Sequence, residues 1–334
     1  MDNKGMNAEQ SLSIVIPLYK ESDSVGPLLA RVHEGLADYP WPWELICVDD
    51  GSTDDTVARL REEAVAYGTH VRVIRMRRNF GQTAAMQAGI NAARGAFIAT
   101  LDGDLQNDPA DIPGMLEELQ ARDLDLLQGW RRERHDDSVR KFFSRVANRL
   151  IARVTGVRLH DYGCSLKVYR ADVIKEVKLF GEMHRFIPVW VASVTSPERI
   201  GETVVTHQAR QFGQSKYGLS RTFRVIVDLL TVFFFLRFGA RPAHFFGSIG
   251  LAFGALGTLG MLWLGFVKFV LGEAIAGRPL LIVSVLFIVM SIQMLTTGVL
   301  SELLARTFFE SAGRHAYHVL EMDGDDADWK RAAD

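Results

Sequence analysis

The chain has 334 residues, and 38 lysines and arginines against 40 aspartates and glutamates give a net charge of −2. This balance argues against a general nucleic-acid binder, which would carry a basic excess. The two cysteines, Cys47 and Cys164, are too few for a disulfide framework and favour reduced thiols in a cytosolic compartment.

Residues 12–130 alternate short apolar runs with helical stretches. Five buried strands are predicted at LSIVIPL, WELICVDD, VRVIRM, AFIATLD and DLLQGW, with helices near residues 24–38, 54–67, 82–93 and 109–121. This alternation predicts an α/β fold with a mostly parallel sheet covered on both faces. Ligands of such sheets bind at the carboxyl ends of the strands.

A basic amphipathic stretch follows the predicted sheet. In residues 138–155, Lys141, Arg145 and Arg149 recur at every fourth position and share a helix face, while Phe142 and other apolar residues occupy much of the remaining surface. The pattern fits either a membrane-surface helix or a solvated helix packed on the sheet. The apolar segments further along the chain favour the membrane.

Two long apolar segments lie in the last third of the chain. No Asp, Glu, Lys or Arg occurs between Pro242 and Val267 or between Pro279 and Ser301. Because a helix needs roughly 20 apolar residues to cross a bilayer, we predict transmembrane helices at about 242–269 and 279–303. A pair of buried core helices is the alternative. The connection is short, so the helices would form a hairpin, and flanking arginines favour both ends on the cytoplasmic side.

These features predict five segments. They are a flexible N-terminus at 1–11, an α/β domain at 12–220, an amphipathic interfacial juxtamembrane helix at 221–241, two transmembrane helices within 242–303, and a cytoplasmic C-terminal helix with an acidic tail at 304–334. We expect no signal peptide, because polar residues lead straight into the first strand.

An acidic motif, LDGDLQNDP, follows the fourth predicted strand. Asp102 and Asp104 flank Gly103, and two carboxylates at this spacing can face one hard cation and a nucleotide diphosphate. Gln106 can supply a further oxygen, and Mg²⁺ or Mn²⁺ prefers oxygen ligands of this kind. On its own, such a pair of aspartates also occurs in ordinary turns after strands, without a bound ligand.

Two further motifs end strands. In VDDGSTDDT, Asp49 and Asp50 can accept from a base or ribose, or the motif can simply begin a helix. In IPLYKE, Pro17 fixes the backbone, while Tyr19 and Glu21 can approach a nucleotide.

Taken in order, six motifs resemble glycosyltransferase family 2 with its GT-A fold. The motifs are IPLYKE, VDDGSTDDT, NFGQTAAMQAGINAARG, LDGDLQNDP, DYGCSLKVYR and QFGQSKYG, and they cover about residues 12–220. More narrowly, the chain resembles dolichol-phosphate-mannose-synthase-like and bacterial polyprenyl-phosphate glycosyltransferases. The resemblance implies a Rossmann-like GT-A catalytic domain and an inverting transfer from a UDP- or GDP-sugar to polyprenyl phosphate, such as undecaprenyl phosphate.

The resemblance also implies a setting and a cofactor. The enzyme would use Mg²⁺ or Mn²⁺ and act at the cytoplasmic face of a bacterial inner membrane as a multi-pass protein. Its product, a polyprenyl-phosphate-linked monosaccharide, would serve cell-envelope glycan or lipid A modification. The membrane, the nucleotide sugar and the lipid would be its partners, without nucleic acid, and a homo-oligomer is possible.

The resemblance further assigns roles to individual residues. The nucleotide sugar would contact Pro17, Tyr19, Glu21, Val48, Asp50, Gly103, Arg131, Arg210 and Lys216. The catalytic residues would be Asp102, Asp104 and Asp161, and the metal ligands Asp102, Asp104 and Gln106. The acceptor phosphate would bind Arg140 and Ser144. Because a phosphate monoester is already anionic near neutral pH, Asp161 is expected to orient groups and not to act as a strong base.

Alternative functions stay open at this point. A processive polysaccharide synthase would usually carry Q-x-x-R-W and more spans, and this sequence has no such motif. A non-catalytic membrane scaffold that binds nucleotide sugar is a second alternative. His184 and Arg185, in GEMHRFIP, either contact sugar or phosphate or belong to a surface loop. The sugar, the base and the oligomeric state are not determined by the sequence.

Overall fold

The computed structural model describes residues 10–132, 151–153, 156–179, 181, 183–208, 234, 238 and 241–311. The predicted interfacial helices, most of the N-terminal segment and the acidic tail fall largely or wholly outside these ranges. So do four predicted site residues, Arg140, Ser144, Arg210 and Lys216. The chain divides into two compact units, Met1–Leu229 and Leu230–Asp334.

The first unit contains a seven-stranded sheet. Its strands are β1 Leu12–Leu18, β2 Trp43–Asp49, β3 Val71–Arg75, β4 Phe97–Thr100, β5 Leu126–Trp130, β6 Lys167–Arg170 and β7 Ile200–Val204. Its helices are α1 Val25–Gly35, α2 Thr56–Tyr67, α3 Gln82–Ala92, α4 Asp111–Ala121, α5 Ala171–Glu176 and α6 Ile187–Val191, with short 3₁₀ helices at Met183–Phe186 and Pro197–Arg199. The five predicted strands and four predicted helices are confirmed, with small shifts at their ends.

The strand order places the later strands inside the sheet. The order is β3-β2-β1-β4-β6-β5-β7, and all neighbours are parallel except β6, which runs antiparallel to β4 and β5. Because β6 is reversed, its first residue lies at the edge where β4 and β5 end. Lys167 accordingly pairs with Thr100 of β4 and with Gln128 of β5. This arrangement brings the chain before β6 beside the acidic motif after β4.

The sheet is covered on both faces, as predicted. Side chains alternate along β1, and Ile14 and Ile16 share one core with α1 and α4. On the opposite face, a Cβ atom on Gly89 of α3 would lie 2.2 Å from Val15 Cγ1, so this helix lies very close to β1. Cys47 of β2 is fully buried in the core.

The second unit contains two long apolar helices. They are α7 Pro242–Phe269 and α8 Pro279–Ser311, and both are long and apolar enough to cross a membrane. Most of their large apolar side chains are exposed, which differs from the buried core helices considered as an alternative. The helix α8 continues beyond the predicted end of the second span at residue 303.

Close packing between α7 and α8 depends on glycines. A Cβ atom on Gly257 would lie 2.8 Å from the Ser284 carbonyl oxygen, and one on Gly254 would lie 2.7 Å from Ser291 Oγ. Small residues let two apolar helices approach until their backbones nearly touch. The hairpin is therefore held by van der Waals contact along this glycine face.

Substitution along α7 tests this contact. We expect Gly257→Ala to lower the melting temperature of the detergent-solubilised protein, because the methyl group meets the Ser284 carbonyl at a cost of about 1–3 kcal/mol. Gly265→Ala is the matched control, since nothing lies within 4 Å of a Cβ atom there. Both variants gain the same helix propensity. Equal melting temperatures for the two variants would contradict the proposed contact.

Candidate active site

Residues 101–109, here called the acidic loop, leave the sheet at the end of β4. Asp102 and Asp104 are half-buried on either side of the buried Gly103. A Cβ atom on Gly103 would lie 2.3 Å from Leu18 Cδ2, so only glycine lets the loop pass this close to β1. Leu105 adopts a φ of 61°, in the left-handed region that residues with a Cβ rarely occupy.

Asp102 lies in a polar but partly desolvated environment. Gln82 Nε2 donates to Asp102 Oδ1 at 2.7 Å, and the nearby Ser165 hydroxyl donates to Asn107 Oδ1 at 2.7 Å. Burial, followed by the negative charge of Asp104, raises the pKa of Asp102 to about 6, and the charge of Lys167 opposes the rise. Two carboxylates that repel each other in such a loop favour binding of a cation.

The donor set of the acidic loop suits a hard divalent ion. It offers the carboxylates of Asp102 and Asp104 and the amide oxygen of Gln106, and Mg²⁺ and Mn²⁺ prefer such oxygens. Within the described residues, no cluster of three or more His, Cys, Asp or Glu side chains is arranged for a metal. Metal binding by Asp102, Asp104 and Gln106 therefore stays a prediction.

The motifs after β1 and β2 contact each other. Pro17 pairs with Val48 in the parallel ladder, and the Glu21 backbone N–H donates to Thr56 Oγ1 at 3.0 Å. Asp50 is 3% exposed. Its two oxygens accept from the backbone N–H groups of Phe80 and Gly81, at 2.7 and 2.9 Å.

These contacts connect Asp50 to the loop that starts α3. The next residue, Gln82, is the one that donates to Asp102. Asp50 therefore organises the backbone from which Gln82 projects, and its predicted contact with the nucleotide stays a prediction. Thr83 follows, and its Oγ1 lies 2.6 Å from His184 Nδ1.

Arg131 and Asp161 form a bidentate ion pair. Arg131 Nε donates to Asp161 Oδ2 at 2.7 Å, and Nη2 donates to Oδ1 at 3.0 Å. The Gly163 backbone N–H adds a third hydrogen bond to Asp161, at 3.1 Å. Desolvation lowers the pKa of Arg131, but the hydrogen bonds and charge of Asp161 outweigh it and raise the pKa overall. Asp161 is thus engaged as an acceptor that holds Arg131 in place.

Lys167 is a buried lysine beside this pair. Its side chain is 2% exposed, and Nζ donates to the Cys164 carbonyl, which also accepts from Gln128 Nε2 at 2.9 Å. Burial lowers the pKa of Lys167, opposed by the negative charges of Asp102 and Asp161. Lys167 and Asp102 therefore interact electrostatically.

Three residues without a predicted role lie around the predicted residues Asp102 and Asp161. Gln82 and Ser165 flank Asp102, and Lys167 fixes the turn between Asp161 and Ser165. Gln82 and Ser165 lie in two of the recognised motifs, so membership of these motifs could have identified them as candidate site residues. Lys167 lies in the same recognised motif as Ser165, DYGCSLKVYR. No described contact involves Arg140, Ser144, Arg210 or Lys216, because those residues lie outside the described ranges.

Comparisons with solved structures show the fold. The glucosyl-3-phosphoglycerate synthase of Mycobacterium tuberculosis, in complex with Mn²⁺, uridine diphosphate and phosphoglyceric acid, has a TM-score of 0.54 and 16% identity. The match covers 70% of this chain and 80% of that chain. The same protein in complex with Mg²⁺ and uridine diphosphate also gives a TM-score of 0.54. The predicted GT-A-type fold is confirmed.

Comparisons with curated sequences show the family. Residues 13–178 match Glycosyl transferase family 2. The dodecaprenyl-phosphate galacturonate synthase of Rhizobium johnstonii is 58% identical over 315 residues, covering 94% of this chain and 93% of the relative. The undecaprenyl-phosphate 4-deoxy-4-formamido-L-arabinose transferase of Klebsiella pneumoniae is 35% identical over 317 residues, covering 94% of each. The chain therefore belongs to glycosyltransferase family 2, alongside transferases named for their polyprenyl-phosphate substrates.

Proposed function

We propose that this protein transfers a sugar from a nucleoside diphosphate to a polyprenyl phosphate, and that the sugar is a hexuronate. Its 58% identity to a dodecaprenyl-phosphate galacturonate synthase over 94% of the chain carries this proposal. The acidic loop at the carboxyl edge of the sheet supports it, because its carboxylates could hold a divalent cation, and a departing diphosphate needs positive charge at that position. The more distant formamidoarabinose transferases are named for another sugar but also for a polyprenyl phosphate. The polyprenyl-phosphate acceptor is therefore supported by both groups of relatives, and the hexuronate by the galacturonate synthase alone.

The acidic loop would hold Mg²⁺ or Mn²⁺ through Asp102, Asp104 and Gln106. When bound, the ion supplies positive charge to the leaving diphosphate. Gln82 orients the Asp102 carboxylate through its hydrogen bond, which reduces the reorganisation required when substrate binds.

The transfer is proposed as a single displacement. An oxygen of the lipid phosphate forms a bond to the anomeric carbon, while the bond from that carbon to the diphosphate oxygen breaks. Arg140 and Ser144 would hold the acceptor phosphate, and Arg210 and Lys216 would bind the departing diphosphate. Arginine suits these tasks because its planar fork pairs with two phosphate oxygens.

Asp161 is proposed to position groups and not to act as the base. The acceptor is already anionic near neutral pH, so no strong base is needed. In the structure both Asp161 oxygens accept hydrogen bonds from Arg131. This pairing would keep Arg131 rigid where the sugar or the diphosphate lies.

The two apolar helices support a membrane location. We propose that α7 and α8 cross a bacterial inner membrane as a hairpin, with the catalytic domain in the cytoplasm. There the enzyme would meet both a soluble nucleotide sugar and the phosphate head of a membrane lipid.

A donor panel tests the substrate class. We expect purified protein with undecaprenyl or dodecaprenyl phosphate to form a lipid-linked product from UDP-galacturonate faster than from UDP-galactose, the matched neutral sugar. Mass spectrometry of the extracted lipid is the measurement. A preference for a donor with a neutral or formamido sugar would refute the proposal that the transferred sugar is a hexuronate. If the protein hydrolyses the donor at the same rate with and without lipid, and forms no lipid-linked product, the proposed polyprenyl-phosphate acceptor is wrong.

Substitution within the acidic loop tests the metal hypothesis. We expect Asp104→Ala to lower kcat by about a hundredfold or more, because a ligand that stabilises the leaving charge is lost. Asp108→Asn is the matched control: Asp108 accepts from the Ala110 backbone N–H at 3.1 Å, and asparagine can keep this contact. Chelator should abolish wild-type activity and added Mn²⁺ restore it. Full activity of the wild type in the presence of chelator would show that the reaction does not require a metal ion.

Product stereochemistry tests the single displacement. An α-linked donor should give a β-linked lipid phosphate sugar, because attack occurs opposite the leaving group. NMR coupling constants at the anomeric proton of the isolated product measure this. Retention of configuration would rule out direct attack by the lipid phosphate.

A further inference from the structure

Arg31, on α1, bridges two segments that lie far from it in sequence. Its Nη1 donates to the Leu105 carbonyl at 3.3 Å, and its Nη2 donates to Gln208 Oε1 at 2.7 Å. Leu105 lies between two of the proposed metal ligands. Gln208 ends residues 206–208, here called the arm. One guanidinium group therefore contacts both the acidic loop and the arm.

The arm is also paired with the acidic loop directly. The Gln208 backbone N–H donates to the Gln106 carbonyl at 2.8 Å, and Asn107 and His207 form an antiparallel bridge. The Thr206 backbone N–H donates to Asp111 Oδ2 at 2.7 Å, which fixes the other end of the arm on α4. The arm thus lies along the loop like a short extra strand.

The conformation of Leu105 requires such support. Its positive φ is strained for a residue with a Cβ atom, and strained backbone persists only where surrounding contacts determine it. The side chain of Leu105 is 1% exposed, and its carbonyl is held by Arg31. Changing this residue's backbone would turn Asp104 and Gln106 relative to each other.

We propose that Arg31 is a positioning residue, which holds the acidic loop and the arm in one arrangement so that Asp104 and Gln106 meet the metal and the diphosphate together. This inference rests on the proposed function for the identity of the metal ligands. The positioning itself rests on the contacts of Leu105 and Gln208.

Binding of Mn²⁺ in the presence of uridine diphosphate tests the proposal without turnover. We expect Arg31→Met to weaken Mn²⁺ affinity by about tenfold to a hundredfold, the scale of losing hydrogen bonds from a charged donor. The affinity is measured on the full chain in detergent, from the free Mn²⁺ signal in electron paramagnetic resonance. Arg31→Lys should give an intermediate loss, because lysine keeps the charge without the planar fork.

The sign of the change in Mn²⁺ affinity distinguishes a positioning role of Arg31 from a purely electrostatic one. Removing a cation near a metal site reduces repulsion, so a purely electrostatic role predicts tighter Mn²⁺ binding by Arg31→Met. Arg122→Met is the matched control, since Arg122 pairs with Glu118 on α4 at 2.5 Å and should leave the affinity unchanged. Tighter or unchanged binding by folded Arg31→Met would overturn the proposal.

Hydrogen–deuterium exchange distinguishes this inference from the proposed function. In metal-free protein, Arg31→Met should speed exchange in peptides that cover the acidic loop and the arm, while Arg122→Met should not. Unchanged exchange in both segments would refute the positioning role even if the wild type binds Mn²⁺. Failure of the wild type to bind Mn²⁺ with uridine diphosphate would instead refute the metal part of the proposed function, whatever the exchange shows.

Discussion

The repulsion between the Asp102 and Asp104 carboxylates is the interaction on which the site depends. Both groups lie half-buried on one short loop, where water screens their charges less than at an open surface. The surrounding protein partly offsets this repulsion through the hydrogen bond from Gln82 and the charge of Lys167. The two carboxylates would therefore gain from a divalent cation bound between them.

The reversed strand β6 makes this compensation possible. Because β6 lies between β4 and β5 and runs against them, its first residue reaches the same edge as the acidic loop. Lys167 and Gln128 both donate to the Cys164 carbonyl, which holds the turn before β6. A fully parallel sheet would place the start of this strand at the opposite edge, away from the acidic loop.

Sequence patterns predicted the parts of the site that local periodicity and ordered motifs determine. Strand ends located Asp50 and the acidic loop correctly, because each follows a strongly apolar run. The antiparallel placement of β6 was not predicted, since KVYR carries two cations and has no clear alternation. Gln82, Lys167 and Arg31 act through contacts between distant segments, and the sequence alone does not show which distant side chains meet.

The thiol groups of both cysteines are buried inside the protein. Burial raises the pKa of Cys47 to about 12 and also raises that of Cys164. A thiol in this state offers almost no thiolate to an alkylating or spin-labelling reagent. The native chain therefore already provides a background without reactive cysteines, into which single reporter cysteines can be placed for distance measurements.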